Sequence, residues 1–230
     1  MGRVLAAAGR FDANWLISTA LSYSNLTSSK GVPVTAWGVS YCYGNQLETL
    51  RVHRPREVEK EVARLAEIRT DMLIFYLHDQ HEILSSYLVQ PLVRRKADLN
   101  WAFCRIGRLE HFEPLFQTTL YPEAVDPSEL FFVQLLDHFT RDQPIESVQT
   151  ILSQISDGPD LSFAMMCPEM LVVAHWITEG DADELKLFLG KGELLRIFTT
   201  FPPMEISGVE WTEVANHSVT VMFRKRRVVV

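Results

Sequence analysis

The sequence is poor in the residues that staple small folds together. Cysteine occurs three times in 230 residues, at Cys42, Cys104 and Cys167, with no C-x-x-C spacing, which excludes a disulfide framework and a structural zinc knot. Basic charge is also scarce: 22 Lys and Arg stand against 29 Asp and Glu, for a formal net charge of -7. Neutralising a phosphate backbone needs a clustered cationic surface, so no nucleic-acid partner is expected. The one basic run, Arg224-Lys225-Arg226-Arg227, lies between Met222-Phe223 and Val228-Val229-Val230 and reads as a terminal strand whose charges discourage edge-to-edge pairing. Long apolar runs are missing too. No stretch approaches the roughly 20 residues that span a bilayer, and the apolar stretch within Met1 to Arg10 is too short for a secretory signal. N-myristoylation at Gly2 would want Ser or Thr where Ala6 stands. The expected setting is cytoplasmic, with no membrane partner. There is no P-loop, no G-x-G-x-x-G and no G-x-S-x-G, so nucleotide-binding and serine-hydrolase motifs lend no support.

What the chain does have is apolar residues in amounts that fill a core, 47% of the total, and no internal repeat or dividing linker, so a single domain over residues 1–230 is expected. Arg3 to Ala8 reads as a short strand ending at Gly9. Asp12 then caps a helix with Trp15, Leu16, Thr19, Ala20 and Tyr23 on one face. Val34 to Tyr43 and Leu47 to His53 form a hairpin across Gly44-Asn45. Pro55 opens a helix with Val58, Val62, Leu65 and Ala66 facing inward. Met72 to Leu77 is an unbroken apolar strand, the pattern of a strand covered on both faces.

Leu99 to Cys104 is a further strand that turns at Gly107 into Arg108 to Phe112. Asp126-Pro127 and Pro144 each start a helix. Strands are expected at Leu161 to Met166, Leu171 to Trp176, Glu184 to Leu189, Leu194 to Thr199 and Ser218 to Val230. Consecutive hairpins with grouped helices make a layered α+β body.

Four segments, in order, carry a resemblance. Arg3-Val4-Leu5-Ala6 resembles a family start in which Cys-Arg-Leu-Leu-Ala follows the initiator Met. Thr35-Ala36-Trp37-Gly38-Val39-Ser40-Tyr41 resembles an Asp-Gly-Trp-Gly-Ile-Ala-Tyr strand. Trp101-Ala102-Phe103-Cys104-Arg105-Ile106-Gly107-Arg108-Leu109 is similar to Trp-Ala-Phe-Ala-His-Asn-Gly-Thr-Ile. Ser128-Glu129-Leu130-Phe131 through Leu135-Leu136-Asp137 is similar to a helix that opens Thr-Asp-Ser-Glu and runs into Leu-Leu-Asp. These are segments of the class II glutamine amidotransferases. The resemblance spans residue 2 to about residue 140 and implies a four-layer αββα sandwich of the N-terminal-nucleophile hydrolase type.

The resemblance also implies where a site would be, and the residues found there are wrong for glutamine hydrolysis. The family's nucleophile is an N-terminal cysteine, a thiol being partly ionised near neutral pH and able to form an acyl-enzyme; Gly2 stands in its place, beside Arg3. The oxyanion hole is built from an Asn side chain and the next Gly N–H; the matching positions are Ile106 and Gly107, which removes one donor. The substrate carboxylate is held by an Arg, whose planar fork suits it; here the position is His78. The substrate ammonium is held by the Asp of Thr-Asp-Ser-Glu; here it is Pro127, a helix-initiating residue. The framework residues Trp37 and Gly38 match. The family's His-Pro-Phe segment is echoed by Gln90-Pro91-Leu92.

The expectation is therefore a catalytically inactive amidotransferase-like protein that binds a small ligand or a protein partner, with oligomerisation open and no cofactor. The alternative is an amide hydrolase or amidotransferase of altered chemistry, using Cys104 as a relocated nucleophile or a metal at His78 and His81, with His53 or His111 as a third ligand. The bland readings are that Cys104 packs as a small hydrophobe and that His78 to Glu82 is a solvated loop.

Overall fold

The structure, a computed structural model, describes residues 2–27, 36–53, 64–78, 89–109, 126–155, 160–178, 185–201 and 203–224. Its strands are β1 Arg3–Gly9, β2 Ala36–Tyr43, β3 Gln46–His53, β4 Met72–His78, β5 Leu92–Lys96, β6 Leu99–Arg108, β7 Asp160–Cys167, β8 Met170–Trp176, β9 Phe188–Lys191, β10 Leu195–Thr199, β11 Glu210–Glu213 and β12 Ser218–Phe223. The helices are α1 Ala13–Thr27, α2 Pro127–His138 and α3 Pro144–Ser153, with one 3₁₀ turn at Arg64–Glu67. Two antiparallel sheets result. One has seven strands in the order β11-β9-β10-β1-β4-β2-β3, the other five in the order β12-β8-β7-β6-β5.

The period-2 alternation of the strands sorts the apolar residues into three clusters. On β1, Leu5 and Ala7 point to a cluster shared with Leu16, Ile17 and Ala20 of α1. Val4 and Ala6 point the other way, into a cluster shared with Cys104 and Ile106 of β6 and Ala164 and Met166 of β7. The far face of the five-stranded sheet, with Phe103, Phe163 and Met165, packs on Phe131, Phe132 and Leu135 of α2 and on Val148 and Ile151 of α3. β4 lies between β1 and β2 and is buried along its whole length, as its unbroken apolar run predicts.

Local chemistry fixes the helix that reaches the site. The Asp126 carboxylate accepts from the backbone N–H groups of Ser128 (2.8 Å) and Glu129 (3.3 Å), and Pro127 takes the first turn, so the cap and the proline act together. At the other end Lys96 Nζ donates to the carbonyl of Phe139 (2.8 Å) and to that of Leu136. A cation there complements the helix dipole.

The structure departs from the sequence reading in five places. Trp15 is 45% exposed; the buried stripe of α1 is Ala13, Leu16, Ile17 and Ala20, which satisfies the i, i+3, i+4, i+7 spacing without it. Strands β5 and β11 were not expected. Charged Arg94, Arg95 and Lys96 hide the first, and β11 is only four residues long. β6 continues through Arg108 and does not turn at Gly107, because β7 pairs with it as far as Asp160. Finally, the strand expected over 184–189 begins at Phe188, while Leu185 and Leu187 are buried ahead of it. The helix expected from Pro55 lies outside the described residues as far as residue 63; over Arg64–Glu67 the chain forms a 3₁₀ turn in which Leu65 is buried as expected but Ala66 is exposed, and the residues from 225 onward again lie outside the described residues.

Phe103 stacks on Phe132 (centroids 4.8 Å apart, 13° between planes) and touches Phe131 and Phe163 at 5.9 and 5.5 Å. Removing its ring leaves a cavity where β6 meets α2. Phe103→Ala should therefore lower unfolding free energy by about 3–5 kcal/mol, read as a shift of the urea midpoint at unchanged slope.

Candidate functional site

Strand register gathers the expected positions at one end of the sheets. Arg3 on β1 and Trp37 on β2 both lie opposite Leu77 of β4, and Gly38 lies opposite Tyr76. In the other sheet Ile106 and Gly107 lie opposite Ser162 and Leu161. Val4, Tyr76 and Ile106 share the apolar cluster between the sheets, so the two strand ends meet. The first turn of α2, with Pro127, is tied in by Arg105, whose Nε donates to Ser128 Oγ at 3.0 Å. Gly2, Arg3, Gly38, His78, Ile106, Gly107 and Pro127 thus belong to one region. Trp37 belongs to its frame, since its ring points to the α1 side, 6.3 Å from Phe75.

The backbone of this region is tightly used. A Cβ placed on Gly2 would overlap the Tyr76 hydroxyl and come within 2.6 Å of the ring carbon Cζ, closer than side-chain carbons pack. A Cβ on Gly38 would meet Gln90 and approach Pro91 Cδ to 2.9 Å. Gln90 Oε1 accepts from the Arg105 N–H at 2.6 Å, and Arg51 Nε donates to the Pro91 carbonyl at 2.7 Å. Residues 90 and 91 therefore lie between the two sheet ends. Gly107 has φ +97° and its missing Cβ would sit 2.9 Å from Leu161 Cα, so glycine is required there.

The side chains offer little for binding glutamine. Ile106 is buried in the inter-sheet cluster and has no donor. His78 is buried with its ring 6.3 Å from that of Tyr76. The Asp126 carboxylate is engaged as the α2 cap. The Arg3 guanidinium sits 5.5 Å over the Phe201 ring, in reach of a cation–π attraction.

Three residues of this region carry roles that the motifs did not assign: Tyr76, and Gln90 and Arg105, which stand in the resembling segments. The Arg105 guanidinium, besides its bond to Ser128, donates from Nη1 to the Gly107 carbonyl at 2.7 Å. Burial lowers its pKa, while Tyr76 and Asp126 oppose that fall; the group stays charged. A lone charge inside the apolar run from Trp101 to Ile106 was the available signal. A second buried pair was also missed. Ser162 Oγ and His175 Nδ1 lie 2.7 Å apart on neighbouring strands, and nothing in their local sequence marks them.

Relocated chemistry finds poor ground. All three cysteines are buried and free, and burial pushes Cys42 up to about 12 and Cys167 to about 11, with Cys104 raised further by the same cause. Cys104 lies among apolar side chains between the sheets, where neither thiolate nor substrate is favoured. His81 and His111 lie outside the described residues. Among the described residues no three His, Cys, Asp or Glu side chains gather as a metal site, and no helix is long and apolar enough to cross a membrane.

No protein-family model matches the chain, and no curated protein matches its sequence. Solved structures do match. The structure of the allosteric regulatory enzyme of purine biosynthesis aligns over 98% of this chain with a TM-score of 0.70 at 16% identity, covering 48% of that protein. The glutamine phosphoribosylpyrophosphate amidotransferase from B. subtilis, complexed with ADP and GMP, aligns over 96% with a TM-score of 0.66 at 17% identity, covering 47% of that protein. A predicted glutamine amidotransferase from Pseudomonas aeruginosa aligns over 96% of this chain and 92% of its own, with a TM-score of 0.59 at 12% identity. The chain has the fold of class II glutamine amidotransferases. It spans about half the length of the first two of these proteins.

Two solution tests follow from the buried groups. With every thiol raised by burial, a thiol-labelling reagent at pH 7.5 should modify none of the three cysteines rapidly in folded protein and all three in denaturant; fast labelling of Cys104 alone would restore it as a nucleophile. Folded pKa values above the unfolded value near 8.5 also mean that this contribution to stability is full below that pH and declines as pH rises above it. His175 behaves in the opposite sense. Burial lowers its pKa, reinforced by His217 and opposed by Glu213, so stability held above about pH 6.5 is lost as pH falls through the depressed value. A urea-midpoint series from pH 7.5 to 5 should show this loss, and His175→Gln should reduce it.

Proposed function

We propose that this chain is a degenerate class II glutamine amidotransferase-like protein, a four-layer αββα domain of the N-terminal-nucleophile type, which does not hydrolyse glutamine and acts by binding a small ligand or a protein partner. The observation that carries the reading is at the start of β1. The residue in the nucleophile's position has no side chain, and the space a Cβ would take is filled by the Tyr76 ring. The chemistry fails at that atom before any other is considered, since no acyl-enzyme can form without an attacking group.

The surrounding residues support the same reading independently. Ile106 supplies no oxyanion donor and is packed as core. Pro127 and Asp126 serve the start of α2. His78 offers no bidentate fork for a carboxylate. Each is a separate defect on a separate element, and each is also a sound structural choice: a core aliphatic, a helix cap, a packed ring. Residues that once had to be polar and exposed for substrate are free to pack once chemistry is no longer required.

The test is a glutaminase measurement on purified protein, with ammonia and glutamate as readouts, and the expected result is no turnover above buffer. Gly2→Cys, with the cysteine as first residue, should remain orders of magnitude below a working enzyme, because a missing oxyanion donor costs about 10²- to 10³-fold in rate and Tyr76 opposes any side chain at position 2. The variant should also unfold at a lower temperature than the parent. Ordinary turnover by Gly2→Cys alone would overturn the assignment of Ile106, His78 and Pro127.

A further inference from the structure

At the opposite end of the sheets from Gly2 and Gly107, the turns leave a groove of about 1260 Å³. Its walls come from both sheets: Tyr43 at the β2–β3 turn on one side, Phe223 at the end of β12 on the other. Arg224 holds them together, donating from Nε to Asp71 at 2.7 Å and from Nη1 to the Gly44 carbonyl. Tyr43 and Phe223, the residues next to those two anchored groups, are each 63% exposed. In a chain that buries Trp37, Trp101 and seven phenylalanines almost completely, two bare rings lining one groove are apolar surface left for something else.

The charges of the groove are unevenly committed. Asp71 is closed by Arg224 and Glu169 by Arg141 at 2.7 Å. The Asp12 carboxylate accepts from the Trp15 N–H at the start of α1. Arg10 and Arg69 also line the groove, and their guanidinium groups make no ion pair among the described residues. Asp142 is the one remaining carboxylate against these two guanidinium forks. Guanidinium groups prefer carboxylate and phosphate oxygens, and they also stack on aromatic faces.

We propose that this groove binds a small aromatic anion, a planar ring bearing a carboxylate or phosphate, with Arg10 and Arg69 on the anionic group and Tyr43 and Phe223 on the ring. The site is remote from the amidotransferase-like positions and stands whether or not the chain hydrolyses glutamine. The test uses 1-naphthyl phosphate as a fluorescent probe, with 1-naphthoate, 1-naphthol and inorganic phosphate as comparison ligands, titrated into full-length protein. Saturable binding in about the millimolar range or below is expected for a ligand of this size. Naphthol and inorganic phosphate should each bind at least about fivefold more weakly, and naphthoate against naphthyl phosphate reports which anion is preferred. Arg10→Ala, Arg69→Ala and Phe223→Ala should each weaken the probe about fivefold or more, with far-UV circular dichroism and melting temperature unchanged. No saturation by about 10 mM, affinity unchanged in all three variants, or inorganic phosphate binding as tightly as the probe would overturn the proposal.

Discussion

The structure depends on the face-to-face packing of its two antiparallel sheets. That contact interleaves short side chains, Ala6 on β1 and Ala164 on β7, with longer ones such as Ile74, Ile106 and Met166. Small residues let two pleated surfaces interdigitate at native density, and the outer faces are then left for helices. Apolar area is what holds such a sheet pair together, and it is distributed along whole strands. A few polar residues at the strand ends can change without disturbing it. This is why a fold of this kind can keep its shape while the groups at its mouth are exchanged.

The end that carries the amidotransferase-like positions is held by its own hydrogen bonds. Catalytic groups must stay polar, reachable and partly unsatisfied, which costs stability that packing would otherwise supply. Here the equivalent groups are satisfied. Arg105 spends two donors on Ser128 and Gly107, Gln90 bonds the Arg105 N–H, and Asp126 caps α2. The hydrogen bonds run from sheet to loop to helix, so this end is braced as a unit. A half-buried arginine with two of its donors engaged is expensive to remove, because the partners would be left unpaired.

Much of the frame was legible in the residues. The β4 run from Met72 to Leu77, the hairpin across Gly44 and the starts of α2 and α3 at Pro127 and Pro144 all announce themselves through apolar continuity, turn residues and helix-initiating prolines. Elements defined by long-range pairing were not legible. β11 is four residues, three of them polar, and exists because it lies beside β9; β5 carries three consecutive basic residues, one of which is needed at the end of α2. The candidate positions came from motif order, and register then brought them together. The roles of Tyr76, Gln90 and Arg105 were not legible for a physical reason: they depend on partners far along the chain, as in the Gln90 bond to the Arg105 N–H and the Arg105 bond to Ser128, and although a lone charge in an apolar run marks Arg105, no local pattern encodes its distant partners.

The two ends of the sheets therefore differ in what they leave undone. At one end glycines at positions 2, 38 and 107 admit Tyr76, Gln90 and the β7 backbone so closely that no side chain would fit. At the other end Gly44 has nothing within 4 Å of where its Cβ would lie, and the turns of both sheets stand apart around the exposed Tyr43 and Phe223 rings and the Arg10 and Arg69 guanidinium groups, which make no ion pair among the described residues. Recognition needs a concave surface with unsatisfied donors near apolar faces. Of the two ends, the open one meets that physical requirement, so binding by this protein is better sought at the turns than at the end around Gly2.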